Sequence, residues 1–380
     1  MNRSKLTLAL LLFAGLCALL PASLLSQASS FWPVAPAEAE HIRQLNDIAR
    51  FCAGLKVDDQ SELCDLTKTK EWAKFAAGED DRWQFFQMKE GKMRTWAETY
   101  VSPRLPSSRV VFYPFGGPDI LYADVFMPAA DLYILIGLED AGSAPSLEAV
   151  LKSRLKVFLG SYSKAFNDLM GSGFFRRLEM MSELSNENVK GVLPVCMVLL
   201  ARTGKVLISV ETGGLSETGE FLAAPEGTKP PPKVFRLRYL NPQEGTISTV
   251  VYFSQDLSNA AFQKNTALDA FLARSLPNCY TIIKSASYLM HNYGFSVIRN
   301  MILQYSDAVL QDDSGVLFKL FSPKVWTLNL HGVYNGPTKQ FWEYFEPALC
   351  QAFQAGGKPL NFRYGYELVS NLLWAVKKNQ

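Results

Sequence analysis

RVVFYPFGGPDILYADVFMPAADLYILIGLE, from Arg109 to Glu139, is the stretch that decides the fold. RVVFYPF is apolar at nearly every position, the pattern of a short strand covered on both faces. GGPD reads as a tight turn and ILYADVF as a short helix, which Pro128 ends. LYILIGLE, from Leu132 to Glu139, is a second apolar run of strand length. Strand, helix and strand in that order predict a parallel α/β unit. The fold class expected for the chain is therefore α/β: a mostly parallel Rossmann-like sheet with some antiparallel strands and a helical N-terminal layer.

Helical patterns follow at Ser146–Met170, Phe174–Leu184 and Val189–Arg202, the last closed by Gly204. KVLISVE reads as a third strand. Residues 213–232, with prolines from Pro230 to Pro232, read as an exposed Pro/Gly-rich loop. KVFRLRYL and TISTVVYFS predict antiparallel strands joined by the Asn241–Gly245 turn. A helix to Leu276, the strand CYTIIK, a helical stretch through Met301 and a strand ending at Gln311 come next. WTLNLHGVY predicts a strand and TKQFWEYFEPALCQAF a helix. PLNFRYGYE and SNLLWAVKK predict two antiparallel strands, the second alternatively a short helix. Towards the N-terminus, HIRQLNDIARFCAGL places Ile42, Leu45, Ile48 and Ala49 on one helical face. Trp72, Trp83 and Trp96 are better read as glue between this layer and the main body than as a ligand-stacking surface. The expected organisation is a signal peptide (1–28), a helical region (29–104) and an α/β domain (105–380).

The first 28 residues have the layout of a secretory signal: Arg3 and Lys5, an apolar run from Leu6 to Leu20, then Ser26-Gln27-Ala28 before a cut. A periplasmic or secreted location follows, and export removes ready access to ATP, reduced nicotinamide or S-adenosylmethionine, so no cofactor is expected. The chain holds 38 basic and 36 acidic residues, and the signal carries two of the bases, so the mature chain is formally neutral. Neutrality excludes a general attraction to nucleic acid or anionic lipid, and no membrane association is expected after signal cleavage. Of the six cysteines, Cys52 and Cys64 flank a short polar loop and are the expected disulfide.

Candidate chemistry gathers in three places. Gly116 and Gly117 let backbone approach a ligand, and Asp119 precedes a helix, where its first expectation is a cap and its second an anion-binding turn. Glu139 ends the next strand, where nucleotide-binding folds place a ribose-binding acid. Asp312 and Asp313 in LQDDSG read first as turn chemistry and second as a general base or cation site. Lys284, Ser285, Tyr288 and His291 share one face if KSASYLMH is helical. The histidines lack zinc-ligand spacing, so no metal is expected. The serine acyl-enzyme pairs Ser153/Lys156 and Ser161/Lys164 lack the accompanying motifs.

The glycine turn and the acid after the second strand resemble Rossmann-like methyltransferases, although the G-x-G-x-x-G spacing is absent. The block from Tyr113 to Glu139, with KSASYLMH, LQDDSG and SNLLWAVK, resembles a family of exported bacterial proteins with a YPF-x-GPD-x-LYA core. That resemblance implies a shared fold and supplies no activity. The function expected is non-catalytic binding of a small ligand or envelope component through an aromatic cleft of Phe112, Tyr113, Phe115, Tyr122 and Phe126. The alternative is an extracytoplasmic hydrolase using the carboxylates of the GGPD and QDDSG loops. A methyltransferase relic ranks third.

Overall fold

The computed structural model describes residues 36–104, 109–172, 184, 188–225, 227–366 and 370–378. The expected signal peptide and most of the Phe174–Leu184 helix lie outside the described residues. The chain begins with α1 (Pro36–Cys52) and α2 (Lys70–Tyr100). Then come β1 (Val110–Tyr113), α3 (Ile120–Phe126) and β2 (Leu132–Gly137). Next are α4 (Leu155–Ser172) and α5 (Val192–Arg202). The strands β3 (Val206–Leu215), β4 (Phe221–Ala223), β5 (Val234–Asn241) and β6 (Thr246–Ser254) follow. The remainder is α6 (Thr266–Ser275), β7 (Cys279–Ile283), α7 (Ser296–Tyr305) and β8 (Ser306–Gln311), then β9 (Trp326–Gly332), α8 (Pro347–Gly356) and β10 (Asn371–Lys377).

Among the described residues the ten strands form one sheet, ordered β4-β3-β5-β6-β2-β1-β7-β8-β10-β9. The apolar strands β6, β2, β1, β7 and β8 run parallel at its centre. Both flanks are antiparallel. The expectation of a mostly parallel sheet is thus corrected: the parallel part is the central half. The flanks differ because β5–β6 is joined by the short Asn241–Gly245 turn, which permits only antiparallel pairing.

Strand alternation splits the core. Val111, Tyr113, Leu135, Tyr280 and Trp374 face one side, packed under α1 to α5. Phe112, Ile134, Cys279, Ile283 and Val309 face the other, under α6, α7 and α8. Ile42, Leu45, Ile48 and Ala49 are buried as their periodicity predicts. The tryptophans are the expected glue: Trp83 stacks on Phe86, and Trp96 packs edge-on against His331 with its indole N–H 3.2 Å from Nδ1. Trp72 donates to the Phe51 carbonyl at 3.3 Å. Among the described residues no helix is long and apolar enough to cross a membrane.

Local departures have local causes. Of PLNFRYGYE, the described residues 359–366 form no strand, whereas Asn371–Lys377 does. The loop 213–232 is partly ordered as sheet, since β3 runs to Leu215 and β4 pairs with it. TKQFWEYFEPALCQAF divides into a 3-10 turn, Lys339–Tyr344, and α8, because Pro347 opens a new helix at its first turn. The Cys52–Cys64 disulfide is also corrected: both residues are free thiols. Cys52 is turned into the core beside the Tyr162 hydroxyl, and burial pushes its thiol up to about 12. Cys64 opens a separate short helix and is half-buried. In unreduced, native protein, N-ethylmaleimide is expected to modify Cys64 and Cys350 first. Cys52, Cys196 and Cys279, all buried, should label only after denaturation. Peptide mapping that finds Cys52 joined to Cys64 would contradict this.

Candidate functional site

β1 is the strand at which the chain reverses direction across the sheet, pairing with β2 on one side and with β7 on the other. Ligands of open α/β sheets enter at such a point, outside the carboxyl ends of the strands. The sequence candidates meet here. Tyr113 ends β1, Lys284 follows β7, and Asp312 and Asp313 follow β8.

Asp119 caps α3 by accepting from the Tyr122 N–H at 3.2 Å, as its position predicts. Its other oxygen accepts from the Tyr113 hydroxyl at 3.0 Å and from Lys284 Nζ at 2.7 Å. Both members of this ion pair are buried. Lys284 also lies 3.0 Å from the centroid of the Tyr122 ring. Burial lowers the Lys284 pKa, and Asp119 opposes the shift. Burial and the neighbouring Asp119 carboxylate raise Tyr113 well above the usual phenol range.

Asp312 accepts from the Ser285 N–H at 2.8 Å and from the Ser314 N–H and hydroxyl at 3.0 and 2.5 Å. Burial, reinforced by the Asp313 charge, pushes its carboxyl up to about 7. Asp313 is held by the Asn371 amide at 2.8 Å and by the Tyr288 hydroxyl. Gly365 has φ of +81°, and any side chain on it would strike the Asp312 carboxylate, which explains the glycine.

KSASYLMH is not a helix, and this is the main correction to the site. Ser285, Ser287 and Tyr288 all have left-handed φ, of 53°, 52° and 56°. The amides of Ser285 and Ala286 are taken by Asp312 and by the Ser314 hydroxyl, and the Ser285 carbonyl accepts from Tyr366 at 2.6 Å. With those groups taken and three residues left-handed, the segment forms only a 3-10 turn, Leu289–His291, in place of an α-helix. Lys284 and His291 therefore share no helical face. His291 Nε2 lies 4.0 Å from Glu346. Burial pushes the imidazole down to about 4 and the Glu346 carboxyl up to about 7.

Glu139 stands on the β2 side of the crevice, buried, with its carbonyl accepting from Tyr252 at 2.7 Å. The expected aromatic cleft is not open. Phe112 packs under the opposite face of the sheet from Tyr113, and Tyr113, Tyr122 and Phe126 are buried. Phe115, half-buried, meets Phe295 edge-on at 6.0 Å. Sequence reasoning missed Ser314, Glu346, Tyr364, Tyr366 and Asn371. No local pattern marks them, since Tyr364 and Tyr366 lie in an irregular segment and reach the site only through contacts distant in sequence, to the Ile283 and Ser285 carbonyls.

Backbone is closely packed on the β1–β2 side of the crevice. A Cβ on Gly137 would come within 2.5 Å of Glu139 Oε2 and 2.9 Å of the Gly117 Cα, so the loop after β1 and the end of β2 are already in contact. A Cβ on Gly116 would meet the Tyr113 ring at 2.7 Å. The amides of Val192 and Leu193 at the start of α5 donate to the Asp140 and Ala141 carbonyls, both at 3.0 Å, closing the loop after β2.

No family model matches the chain, and no curated protein does. Two solved structures of the plantazolicin methyltransferase BpumL are similar to it. The complex with a monoazolic desmethylPZN analog and SAH has 10% identity and a TM-score of 0.27. The complex with SAH has 9% identity and a TM-score of 0.28. Each match covers 90% of this chain and 100% of the other.

Proposed function

We propose that the chain is an exported, non-catalytic binding protein built on a Rossmann-like scaffold whose ancestral crevice has closed. Counted in chain order, the seven strands β1, β2 and β6 to β10 lie 3-2-1-4-5-7-6, the doubly wound order with one antiparallel strand inserted. The observation that carries the reading is the mutual satisfaction of the crevice groups. Asp119 is engaged by Lys284, Tyr113 and the helix it caps; Asp312 by three donors; Asp313 by Asn371 and Tyr288. Groups so engaged form a structural polar network. The expected outcome is that S-adenosylhomocysteine and ATP give no heat of binding in calorimetry up to millimolar concentration. Micromolar binding of either would overturn it. Export is tested by the intact mass of protein from the envelope fraction, which should begin at Ser29.

The hydrolase reading is favoured by one observation: the GGPD and QDDSG loops do converge, because the Lys284 ammonium is 2.7 Å from Asp119 and senses the Asp312 charge. It requires Asp312, held near neutrality, to act as a general acid or base. Turnover of an ester or phosphoester substrate that vanishes in Asp312→Asn, while the fold persists, would select it.

A further inference from the structure

The sheet outgrows its helical cover at one end. On the face sealed by α6, α7 and α8, strands β5 and β3 continue beyond α6. Between this uncovered face, β4 and α6 lies a groove of about 970 Å³. Small-ligand sites fall at roughly 300–1,000 Å³.

Cross-strand partners share a face, so sheet register fixes what lines the groove. One row runs Ser209, Arg238, Thr249, Leu132 across β3, β5, β6 and β2. The adjacent row contains Glu211, Arg236 and Val251. In that second row the charges are consumed: Arg236 pairs with Glu211 at 2.7 Å and lies 4.6 Å over the Phe221 ring. Arg274, on the α6 wall, donates to the Gly219 carbonyl at 2.8 Å. Asp131 is paired with Arg109 at 3.2 Å, and Glu220 stands exposed at the rim. Among the described residues, half-buried Arg238 has no hydrogen bond or ion pair, and the Ser209 and Thr249 hydroxyls have no protein partner.

A backbone irregularity builds this row. The β3–β5 register slips between Leu207 and Ser209, so Ile208 is an extra residue. Leu207 stays in the core while Ser209 and Glu211 turn to the groove. Without the bulge, Ser209 would share the face of Leu207. A guanidinium between two hydroxyls, in a wall that also offers Leu132 and Phe271, suits an oxyanion attached to an apolar body.

We propose that this groove binds a small amphiphilic anion, its carboxylate or phosphate head held by Arg238 between Ser209 and Thr249 and its apolar body lying along Leu132 and Phe271. The proposal rests on the binding-protein reading and names where that protein binds and what. Calorimetry of the mature protein with octyl phosphate and octanoate, below their micellar concentrations, is expected to show binding that weakens with added salt. Octyl glucoside, which lacks the charge, and inorganic phosphate, which lacks the chain, should each bind at least about tenfold more weakly. Arg238→Met should lose at least about tenfold in affinity for both anions with a nearly unchanged thermal midpoint, since Arg238 makes no hydrogen bond or ion pair among the described residues. The relative affinities of octyl phosphate and octanoate identify the preferred head. Equal binding of octyl glucoside, undiminished binding by Arg238→Met, or no binding of any probe would each overturn the groove assignment. Those results leave the crevice titration with S-adenosylhomocysteine and ATP as the separate judge of the binding-protein reading.

Discussion

Asp119→Ala is expected to lower the free energy of unfolding by about 3–5 kcal/mol, measured as a shift of the urea midpoint at neutral pH. Removing a helix cap alone costs about 1 kcal/mol. Here the same carboxylate also neutralises Lys284, which is buried and whose nearest ring is Tyr122. Deleting it leaves an ammonium without its counter-ion in a medium that cannot solvate it, and the Tyr113 hydroxyl loses its acceptor. Lys284→Met in the same chain should restore a large part of the loss, because a buried ion pair can be replaced by an apolar group of similar volume. A loss of only about 1 kcal/mol, unaffected by Lys284→Met, would reduce Asp119 to its capping role.

The second large effect is on pH dependence. The Asp312 carboxyl, ordinarily near 3.8, is raised to about 7 in the folded protein. Between those values the folded state keeps a proton that the unfolded chain releases. Stability from this group is therefore full at low pH, falls as pH rises from about 4 to about 7, and is constant above. The slope is about 1.4 kcal/mol per pH unit, on the order of 4 kcal/mol in all. Glu346 acts in the same sense from 4.5 to about 7. His291, lowered from 6.5 to about 4, acts in the opposite sense, losing stability as pH falls through that interval. Asp313, held by Tyr288 and Asn371, is the charge that reinforces the shift of Asp312, and Lys284, Tyr364 and Tyr366 also face the Asp312 carboxylate. The contribution of Asp312 is isolated by comparing wild type with Asp312→Asn. Whatever the absolute stability of the variant, its curve should lack one proton of slope between pH 4 and 7. Parallel curves would show that Asp312 titrates at its ordinary value in the folded protein.

β1 and β2 were legible because each is a nearly continuous apolar run, a pattern that requires cover on both faces. The β5–β6 pair was legible from its turn. Asp119 was readable as a cap because capping is decided within three residues of sequence. Its partner Lys284 was not, because 165 residues separate them and nothing local marks either as one of a pair. KSASYLMH misled for the same reason: its composition permits a helix, and only Asp312, Ser314 and Tyr366, distant in sequence, remove the hydrogen bonds a helix would use. Cys52 and Cys64 are neighbours in sequence, but the helical face of α1 turns the first into the core. The Arg238 row depends on one extra residue in β3, and apolar alternation alone gives no sign of a one-residue slip.

The position of β1 carries a kinetic consequence. Val111 is paired with Tyr133 on one side, soon after it in the chain, and with Tyr280 on the other, far later. A chain emerging from its N-terminus can zip β1 to β2 at once, yet the other edge of this central strand stays bare until β7, which begins only at Cys279, has been made. Contacts of such long sequence separation are made slowly. For that interval this apolar strand is also an unpaired edge, open to the wrong partner. A holding chaperone acting on the nascent chain would find its natural target in Val110–Tyr113.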